Sequence, residues 1–216
     1  MSAACYSLRY VNYSLSMETL KIIYFAHIHT IMNYGVIFWG NSSYAKKVFI
    51  FQNKIIRIIT NTRPRDSCRE IFRNMWIMTL YSQYIYSLLL FAVDNKHLFT
   101  ANNKIHKYNT RNNNNNLHLA LANLTKYNKG PYIYISGINI FNHLPQYLKA
   151  LVHNAKHFRS SLKTFLYHHS FHSMEEYYEY KEKTLWNGYI NIMLIIHVIY
   201  YTCHSLHLTC NSCCSC

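Results

Sequence analysis

A cluster of cysteines and histidines at the end of the chain comes closest to metal chemistry. Cys210 and Cys213 have the C-x-x-C spacing of a pair of zinc ligands. A structural zinc site needs a second such pair about a dozen residues away, and the sequence offers none. We therefore predict that the chain binds no metal and carries no cofactor. The remaining members of the cluster are Cys203, Cys214, Cys216, His204 and His207.

Two other patterns contain the residue types of covalent or acid–base catalysis. Ser160 and Lys163 have the S-x-x-K spacing of a serine nucleophile and its lysine. No partner motif accompanies them, and they fall on an amphipathic helical pattern, so we predict that both lie on the surface. His168, His169 and His172 have no aspartate or cysteine nearby in sequence, which is typical of a polar helix end. Neither pattern predicts a catalytic site.

The chain is poor in the carboxylates and glycines that most phosphate chemistry requires. Phosphoryl transfer with two metal ions needs several carboxylates that converge on one point. Before Glu175 the only acidic residues are Glu18, Asp66, Glu70 and Asp94. The 5 glycines are scattered, so they form neither a P-loop nor a dinucleotide-binding loop. We predict that the chain is not an enzyme and takes no small-molecule substrate.

The net charge is strongly positive and unevenly distributed. Lys and Arg number 22 against 8 acidic residues, which gives a net charge of +14. No Asp or Glu occurs between Asp94 and Glu175, although basic residues recur throughout that block. Such a field favours a polyanionic partner, either nucleic acid or an anionic membrane surface. A coding bias that enriches Asn, Ile, Lys and Tyr explains the same charge equally well.

The best-specified local structure is the stretch Tyr34–Thr60. An aromatic turn bounded by Gly35 and Gly40 comes first, and Ser42 or Ser43 is the predicted N-cap of the helix that follows. That helix is amphipathic, because apolar residues recur at helical spacing. Its predicted apolar stripe is Val48, Phe51, Ile55, Ile58 and Ile59. The basic residues on its other faces are Lys46, Lys47, Lys54 and Arg57.

Three further helices are predicted from the same periodicity. They run from Met17 to Asn33, from Gln83 to Asn95 with Ser82 as the cap, and from Ala155 to His168. Their predicted inner faces are, in that order, Leu20, Ile23, Tyr24, His27, Ile28 and Ile31; Ile85, Leu88, Leu89 and Ala92; and Phe158, Leu162, Phe165 and Leu166.

Shorter signals complete the prediction of fold class. Ser67–Glu70 and Ser173–Glu176 both have the S-x-x-E pattern of a capping box. Pro131–Ile135 is predicted to form a short strand, and Gly137–Leu144 a helical turn. We therefore predict a mainly α fold, an irregular helical bundle with a long polar loop and at most one short strand or hairpin.

Composition divides the chain into five regions. Five consecutive asparagines, Asn112–Asn116, compete for backbone hydrogen bonds and disfavour regular structure around them. The predicted regions are an unstructured start (1–16), a helical region (17–95), a polar Asn-rich loop (96–130), a C-terminal helical segment (131–183) and an apolar, Cys-rich tail (184–216).

The tail contains an apolar segment, 185–201, that is interrupted by Asn187, Asn191 and His197. Its length is near the lower limit for crossing a bilayer. Three interpretations stay open, namely a membrane helix, a packed element and translated sequence without a selected role. The chain shows neither a disulfide framework nor a signal-peptide pattern, which favours an intracellular protein, with a membrane location as the alternative.

Short motifs occur in a fixed order between Leu20 and Tyr180. They are Tyr24-Phe25-Ala26, Tyr34-Gly35-Val36-Ile37-Phe38-Trp39-Gly40-Asn41-Ser42-Ser43, Gln52, Ile55-Ile56-Arg57-Ile58-Ile59, Arg65-Asp66-Ser67-Cys68-Arg69, Tyr84-Ile85, Ser87-Leu88-Leu89, Asn109-Thr110-Arg111, Leu117-His118, Ala122-Asn123-Leu124, Lys129-Gly130, Gly137, Phe141-Asn142, Leu144-Pro145 and His169-Ser170-Phe171. In this order they resemble the C-terminal part of the reverse transcriptases of animal non-LTR retrotransposons, jockey-like elements in particular.

The resemblance implies that residues 17–95 form a thumb-like region that helps to hold an RNA–DNA duplex. In that family the catalytic Phe/Tyr-x-Asp-Asp motif and the endonuclease domain lie upstream, and this chain has no two adjacent aspartates. The implied function is a catalytically inactive C-terminal fragment with at most nonspecific binding of an RNA or DNA duplex. The alternative is a small membrane-associated protein anchored by 185–201. The expected nucleic-acid contacts are Lys46, Lys47, Lys54, Arg57, Lys126, Lys129, Lys156, Arg159 and Lys163.

The departures from the family pattern concern loops rather than helices. The family tends to have a glycine directly after the central helix, where this chain has Thr60-Asn61. It also tends to have a proline-rich turn where this chain has Thr79-Leu80-Tyr81.

Overall fold

The computed structural model describes residues 2–105, 116–119 and 132–180. The chain divides into two compact units, Met1–Glu176 and Tyr177–Cys216, and the described part of the second unit, 177–180, is helical. Several predicted features lie outside the described residues. They are Lys126 and Lys129, most of the asparagine run, the apolar segment 185–201 and the terminal cysteine cluster.

The described residues are mainly helical, which confirms the predicted fold class. An isolated antiparallel bridge between Ala101 and Leu117 is the β pairing recorded within them. The α-helices are α1 (Ser2–Val11), α2 (Met17–Ile23), α3 (Thr30–Asn33), α4 (Val36–Trp39), α5 (Ala45–Thr60), α6 (Arg69–Met75), α7 (Leu80–Asp94), α8 (Asn102–Ile105), α9 (Tyr132–His143), α10 (Gln146–Ala150) and α11 (Ala155–His169). A π-helix, Tyr24–His29, joins α2 to α3, and two short 3-10 helices cover Lys96–Leu98 and Leu151–His153.

Helix α7 is the centre of the first unit, because α4, α5, α9 and α11 all pack against it. Its sequence is apolar on several sides, as expected of a helix buried by more than one neighbour. The predicted stripe of Ile85, Leu88, Leu89 and Ala92 is buried, as are Leu80, Ser82, Tyr84 and Val93. The N-cap is Thr79, whose side-chain oxygen accepts the Ser82 N–H, so the prediction of Ser82 as the cap is wrong.

Residues 1–16 are not the unstructured start that was predicted. Ser2–Val11 forms α1, which packs against α5 and buries Cys5 and Leu8. This segment is therefore an amphipathic helix too, although its apolar face contains only a few residues. Helix α5 therefore has a neighbouring helix on this side, which the sequence analysis did not predict.

The helix predicted from Met17 to Asn33 forms, but a π-helix in its middle changes which residues face the core. Leu20, Tyr24, Ile28 and Met32 are buried, whereas Ile31 is 66% exposed. A π-helix is wider than an α-helix because its hydrogen bonds reach five residues back. Residues four apart therefore stay on one face through Tyr24–His29, and the prediction that His27 and Ile31 face inward is wrong.

Helix α5 forms nearly where it was predicted, but its buried face is rotated from the predicted stripe. Val48, Phe51 and Ile58 are only half-buried, and no side chain caps the helix at its N-cap residue, Tyr44, so neither predicted serine cap forms. A polar residue, Gln52, stands at the centre of the buried face. The buried residues of α5 are Ala45, Phe49, Gln52, Ile55, Ile56 and Ile59.

The ends of α5 and α6 are formed by backbone conformation rather than by the predicted side-chain caps. Asn61 follows α5 in the left-handed conformation, with φ 52°, and its N–H bonds back to the last turn. Asparagine tolerates this conformation better than most residues other than glycine, so it can end the helix here. At α6 the N-cap is Cys68, and Ser67 Oγ accepts the Arg69 N–H at 3.4 Å, so the predicted Ser67–Glu70 capping box does not form.

The predicted strand at Pro131–Ile135 is wrong, because Tyr132–His143 is the single helix α9. The aromatic and branched residues there pack on α7 rather than pairing with another strand. Tyr134 stacks on Phe99 with ring centroids 4.9 Å apart. By contrast, α11 forms as predicted and buries Phe158, Leu162, Phe165 and Leu166.

Two glycine substitutions should change stability in opposite directions. A Cβ at Gly40 would meet the Tyr84 ring and lie 2.6 Å from the Val36 carbonyl oxygen, so we expect Gly40→Ala to lower the free energy of unfolding by about 1–2 kcal/mol. A Cβ at Gly137, inside α9, would lie 3.9 Å from the Phe99 ring, which is ordinary contact. Gly137→Ala should therefore raise the free energy of unfolding by about 0.5–1 kcal/mol. Urea unfolding of both variants measures the two values. A gain in stability for Gly40→Ala would contradict the packing at Gly40, and a loss for Gly137→Ala would contradict the ordinary contact at Gly137.

Candidate nucleic-acid interface

An open groove of about 540 Å³ lies between α1 and the outer side of α5. On one side it is lined by α1 and the turn after it, and on the other by α5. The loop after α5 lines the rest of it. The lining residues are Arg9, Asn12, Tyr13, Ile50, Lys54, Arg57, Ile58, Asn61, Thr62 and Pro64.

The spacing of residues on α5 explains why basic side chains reach the groove. Ile50, Lys54 and Arg57 are four and three residues apart, so they form one stripe on the helix surface. This stripe is opposite the buried face that centres on Gln52. Ile50, at 57%, and Lys54 are exposed, and Arg57 is half-buried, so most of the stripe is open to solvent.

Two hydrogen-bonding arrangements hold the groove walls in place. Asn12 Nδ2 donates to Asn61 Oδ1 at 2.6 Å and joins the turn after α1 to the end of α5. Arg57 Nε and Nη2 donate to the Asp66 carbonyl oxygen at 3.2 and 2.9 Å and hold the loop between α5 and α6. A guanidinium has five N–H donors in a fixed fork, so Arg57 can hold the loop and still present donors to an anion.

The electrostatic character of the groove follows from its lining. Arg9, Lys54 and Arg57 contribute three cations, and no Asp or Glu lines the groove. Within the part of the chain that the structure describes, the ion pairs are Arg69–Glu176 and Arg159–Asp94, both outside the groove lining. The positive field of the groove is therefore not neutralised by a paired carboxylate.

The predicted contacts fall into two sets rather than one face. Lys54 and Arg57 line the groove, and Lys46 and Lys47 are exposed in the first turn of the same helix. Lys47 Nζ lies 5.2 Å from the centroid of the Tyr44 ring. The second set, on α11, lies on a helix that packs on α6 and α7. That set is Lys156, Arg159 and Lys163.

The second set is less available to a ligand than the groove. Arg159 Nη2 donates to both carboxylate oxygens of Asp94 at 2.9 Å, which neutralises the one charge of this set that could chelate a phosphate with a planar fork. Lys163 Nζ lies 5.8 Å from the Tyr167 ring centroid. Ser160 and Lys163 are both exposed, as predicted for this S-x-x-K pattern.

Other basic residues of the acid-free block are used to hold the fold together. Lys149 is buried, and its Nζ donates to Asn116 Oδ1 and to the Asn142 carbonyl oxygen, both at 2.8 Å. Lys96 Nζ donates to the Val152 carbonyl oxygen at 2.8 Å. Part of the positive charge that suggested a polyanionic partner therefore has a structural use.

The sequence interpretation missed Arg9 and Tyr13, because residues 1–16 were predicted to be unstructured. The signal that could have found them is the three-residue separation of Cys5 and Leu8, both of which are buried. Three tyrosines at positions 6, 10 and 13 also repeat at helical spacing.

The histidine cluster divides into an exposed member, His168 in the last turn of α11, and two half-buried members, His169 and His172. Burial lowers the pKa of His172 and of His169 to about 4, and the nearby guanidiniums of Arg69 and Arg73 contribute to these shifts. Both rings therefore stay neutral near pH 7. The His172 ring packs against Phe49, with centroids 5.1 Å apart.

Among the described residues no group of three or more His, Cys, Asp or Glu side chains could hold a metal ion. Nor does any one of their helices have the length and apolarity to cross a membrane, although the bent pair α6 and α7 meets that test jointly by length and composition. No protein-family model, curated protein or solved structure matches this chain.

Proposed function

We propose that this chain is a catalytically inactive C-terminal fragment of a non-LTR retrotransposon reverse transcriptase that binds RNA or DNA without sequence specificity. The observation that carries the proposal is the groove between α1 and α5, with its three cations and no carboxylate. The ordered motifs between Leu20 and Tyr180 supply the family part of the proposal.

The chemistry of the groove suits phosphate oxygens. Arginine and lysine bind phosphates through charge-assisted hydrogen bonds, and arginine can do so with two parallel donors. Contacts of this kind position a nucleic acid but read no bases, so binding should be independent of sequence. Ile50 and Ile58 add apolar walls against which sugars can pack.

The proposed function includes no chemical step. Polymerisation requires carboxylates that hold two metal ions close together. Three acids of the first unit serve other purposes, since Glu176 accepts hydrogen bonds from Arg69 and from the His172 N–H, and Asp94 pairs with Arg159. The Asp66 carboxylate accepts the Arg63 N–H.

The salt dependence of binding tests this proposal. We expect a fluorescently labelled RNA–DNA duplex to bind the full chain with an affinity that falls as salt rises from about 50 to about 200 mM. Three phosphate contacts predict a slope of log K against log salt of roughly −2 to −3. Fluorescence anisotropy measures the affinity, and an absence of binding at the lowest salt would refute the proposal.

A pair of matched variants tests whether the groove is the site. Arg9→Gln with Lys54→Gln should reduce the steepness of the slope by about 2, since two phosphate contacts are lost. Lys156→Gln with Lys163→Gln removes the same charge from α11 and should change the slope by less than about 1. Equal losses in the two variants would show that net charge, and not the groove, governs binding.

A further inference from the structure

Helix α1 and the turn after it carry three tyrosines that contact little of the described chain. Tyr6, Tyr10 and Tyr13 are 76%, 80% and 93% exposed. Exposed aromatic rings on this scale are unusual, because a tyrosine normally buries much of its ring against the protein. Two of them lie on α1 and the third lies in the turn after it, so together they form a local aromatic surface.

Tyr6 and Tyr10 lie on one stripe of α1, because they are four residues apart. Tyr13 follows in the turn after α1, and these three residues together are called the tyrosine stripe. Cys5 and Leu8, which face α5, lie on the opposite side. Arg9 stands between the two sides, and both Arg9 and Tyr13 line the basic groove. The tyrosine stripe is therefore continuous with the rim of the groove.

We propose that this surface binds a single strand of RNA or DNA, with its phosphates in the groove and its bases stacked on the tyrosine stripe. The inference rests on the proposed function and specifies the form of nucleic acid that this site takes. Its parts are those of known single-strand sites, which combine a basic groove along the backbone with aromatic rings that stack on successive bases.

A single strand fits these features better than a duplex does. In a duplex the faces of the bases are already stacked on each other, so they are not available to tyrosine rings. The groove volume of about 540 Å³ is in the range of pockets for small ligands, so it can hold part of one backbone. A duplex can still place phosphates against the three cations of the groove, but its stacked bases cannot reach the tyrosine rings.

The mixture of residues also favours a nucleic acid over a protein partner. The stripe adjoins Arg9, Lys54 and Arg57, whose combined charge complements a polyanion. A phenol ring offers a flat face for stacking and a hydroxyl that stays hydrated at its edge. Stacking does not depend on which base is present, which agrees with binding that is independent of sequence.

The test compares stacking with phosphate contact in the full chain. We expect Tyr10→Ala with Tyr13→Ala to weaken binding of a single strand of about 12 nucleotides by about 10-fold or more. The same variant should change the affinity for a duplex by less than about 2-fold, because the variant keeps the three cations of the groove. An abasic strand of equal length, which keeps the phosphates but lacks bases, should bind the unaltered chain as weakly as the normal strand binds the variant.

Controls separate stacking from damage to the fold. Tyr34→Ala with Tyr44→Ala removes two exposed tyrosines, 86% and 68% exposed, that do not line the groove, and should leave single-strand binding unchanged. Tyr10→Phe with Tyr13→Phe retains the rings and should restore affinity. Ultraviolet crosslinking of a strand that contains 5-iodouridine should attach it to Tyr10 or Tyr13.

The outcomes distinguish this inference from the proposed function. Equal binding of normal and abasic strands, with no effect of the alanine variant, would overturn the stacking inference and leave the basic groove standing. Binding of neither strand nor duplex at low salt would overturn both. A change in oligomeric state with the alanine variant, without a change in strand binding, would assign the stripe to a second copy of the chain and overturn the inference.

Discussion

Replacing Gln52 with alanine should lower the free energy of unfolding by about 3–5 kcal/mol. Gln52 is fully buried, and its side-chain amide joins three parts of the first unit. Its Nε2 donates to the Tyr24 hydroxyl and to the Met78 carbonyl oxygen, both at 2.9 Å. Its Oε1 accepts the Leu80 N–H at 2.8 Å.

The size of this effect comes from the partners that the substitution leaves behind. Leu80 is the first residue of α7, and its N–H has no acceptor within the helix. Burial raises the pKa of the Tyr24 phenol well above its usual range, although the Gln52 bond opposes the shift, so the hydroxyl stays neutral. Each buried polar group left without a partner costs about 1–3 kcal/mol, and the missing amide also leaves a cavity.

Urea unfolding followed by circular dichroism measures the loss, and a thermal scan should show a decrease of roughly 10 °C in Tm. Gln83→Ala is the matched control, because Gln83 is only half-buried and donates to Asn33 Oδ1 at 2.9 Å in an exposed hydrogen bond. That substitution should cost less than about 1 kcal/mol. Comparable losses in the two variants would contradict the buried network around Gln52.

The second large effect is a loss of stability in acid. Burial lowers the pKa of both His169 and His172 to about 4, from an ordinary value of 6.5. The Arg69 guanidinium adds to the shift at His172 and His168 adds to that at His169, while Glu176 opposes both. Protonation therefore favours the unfolded chain, in which the imidazoles bind protons more readily.

The direction of the change in stability, and the pH range in which it occurs, follow from the pKa values of the two histidines. Between about pH 6.5 and pH 4 the unfolded state binds more protons than the folded state, so the free energy of unfolding falls as the pH falls. Above this range both states have neutral imidazoles, and the contribution is fully present. After allowance for solvent screening of these partly buried rings, we expect a loss on the order of 1 kcal/mol for each histidine.

Unfolding in urea at a series of pH values measures this dependence. His172→Phe should flatten it, since a phenyl ring fits between Phe49 and Phe72, whose centroids lie 5.1 and 5.9 Å from that of His172. His157→Gln changes an exposed histidine on α11 and should leave the dependence intact. A profile that neither substitution alters would show that other groups cause the acid loss.

Protonation of Glu176 continues the loss of stability at still lower pH. Burial pushes the pKa of Glu176 upward, but the Arg69 hydrogen bonds, the His172 N–H and the charges of both residues outweigh it, so the pKa is lowered overall. The stability supplied by this ionised carboxylate is lost as the pH falls below the ordinary value of 4.5. Acid therefore weakens the contacts around His172 in two ways, by protonating the His172 ring and by protonating the Glu176 carboxylate.

Local patterns predicted the helices whose environment is uniformly apolar. The stripe on α7 and that on α11 were both correct, since each lies on a helix whose inward face is made of apolar residues at regular spacing. The prediction of a strand at Pro131–Ile135 was wrong because residue type alone did not decide the structure there. Tyrosine and isoleucine suit a strand, but packing on α7 overrides that preference and keeps the segment helical.

The candidate site was predicted only in part. Lys54 and Arg57 were named because basic residues mark the outer face of an amphipathic helix, and both line the groove. Arg9 and Tyr13 could not be added without knowing that α1 packs on α5. Lys156, Arg159 and Lys163 looked equivalent in sequence, but Asp94, 65 residues away from Arg159 along the chain, neutralises one of them.

Residue types and spacing were enough to predict that the chain is mainly helical, that α7 and α11 each bury an apolar stripe, and that the outer face of α5 is basic. These properties depend on residue type and on spacing within a few turns, so they can be read locally. The tertiary structure alone decided that Gln52 belongs to the interior, since its partners lie 26–28 residues away. It also decided which cations form a groove, because a groove needs two walls, and the wall supplied by α1 is fixed by packing against α5.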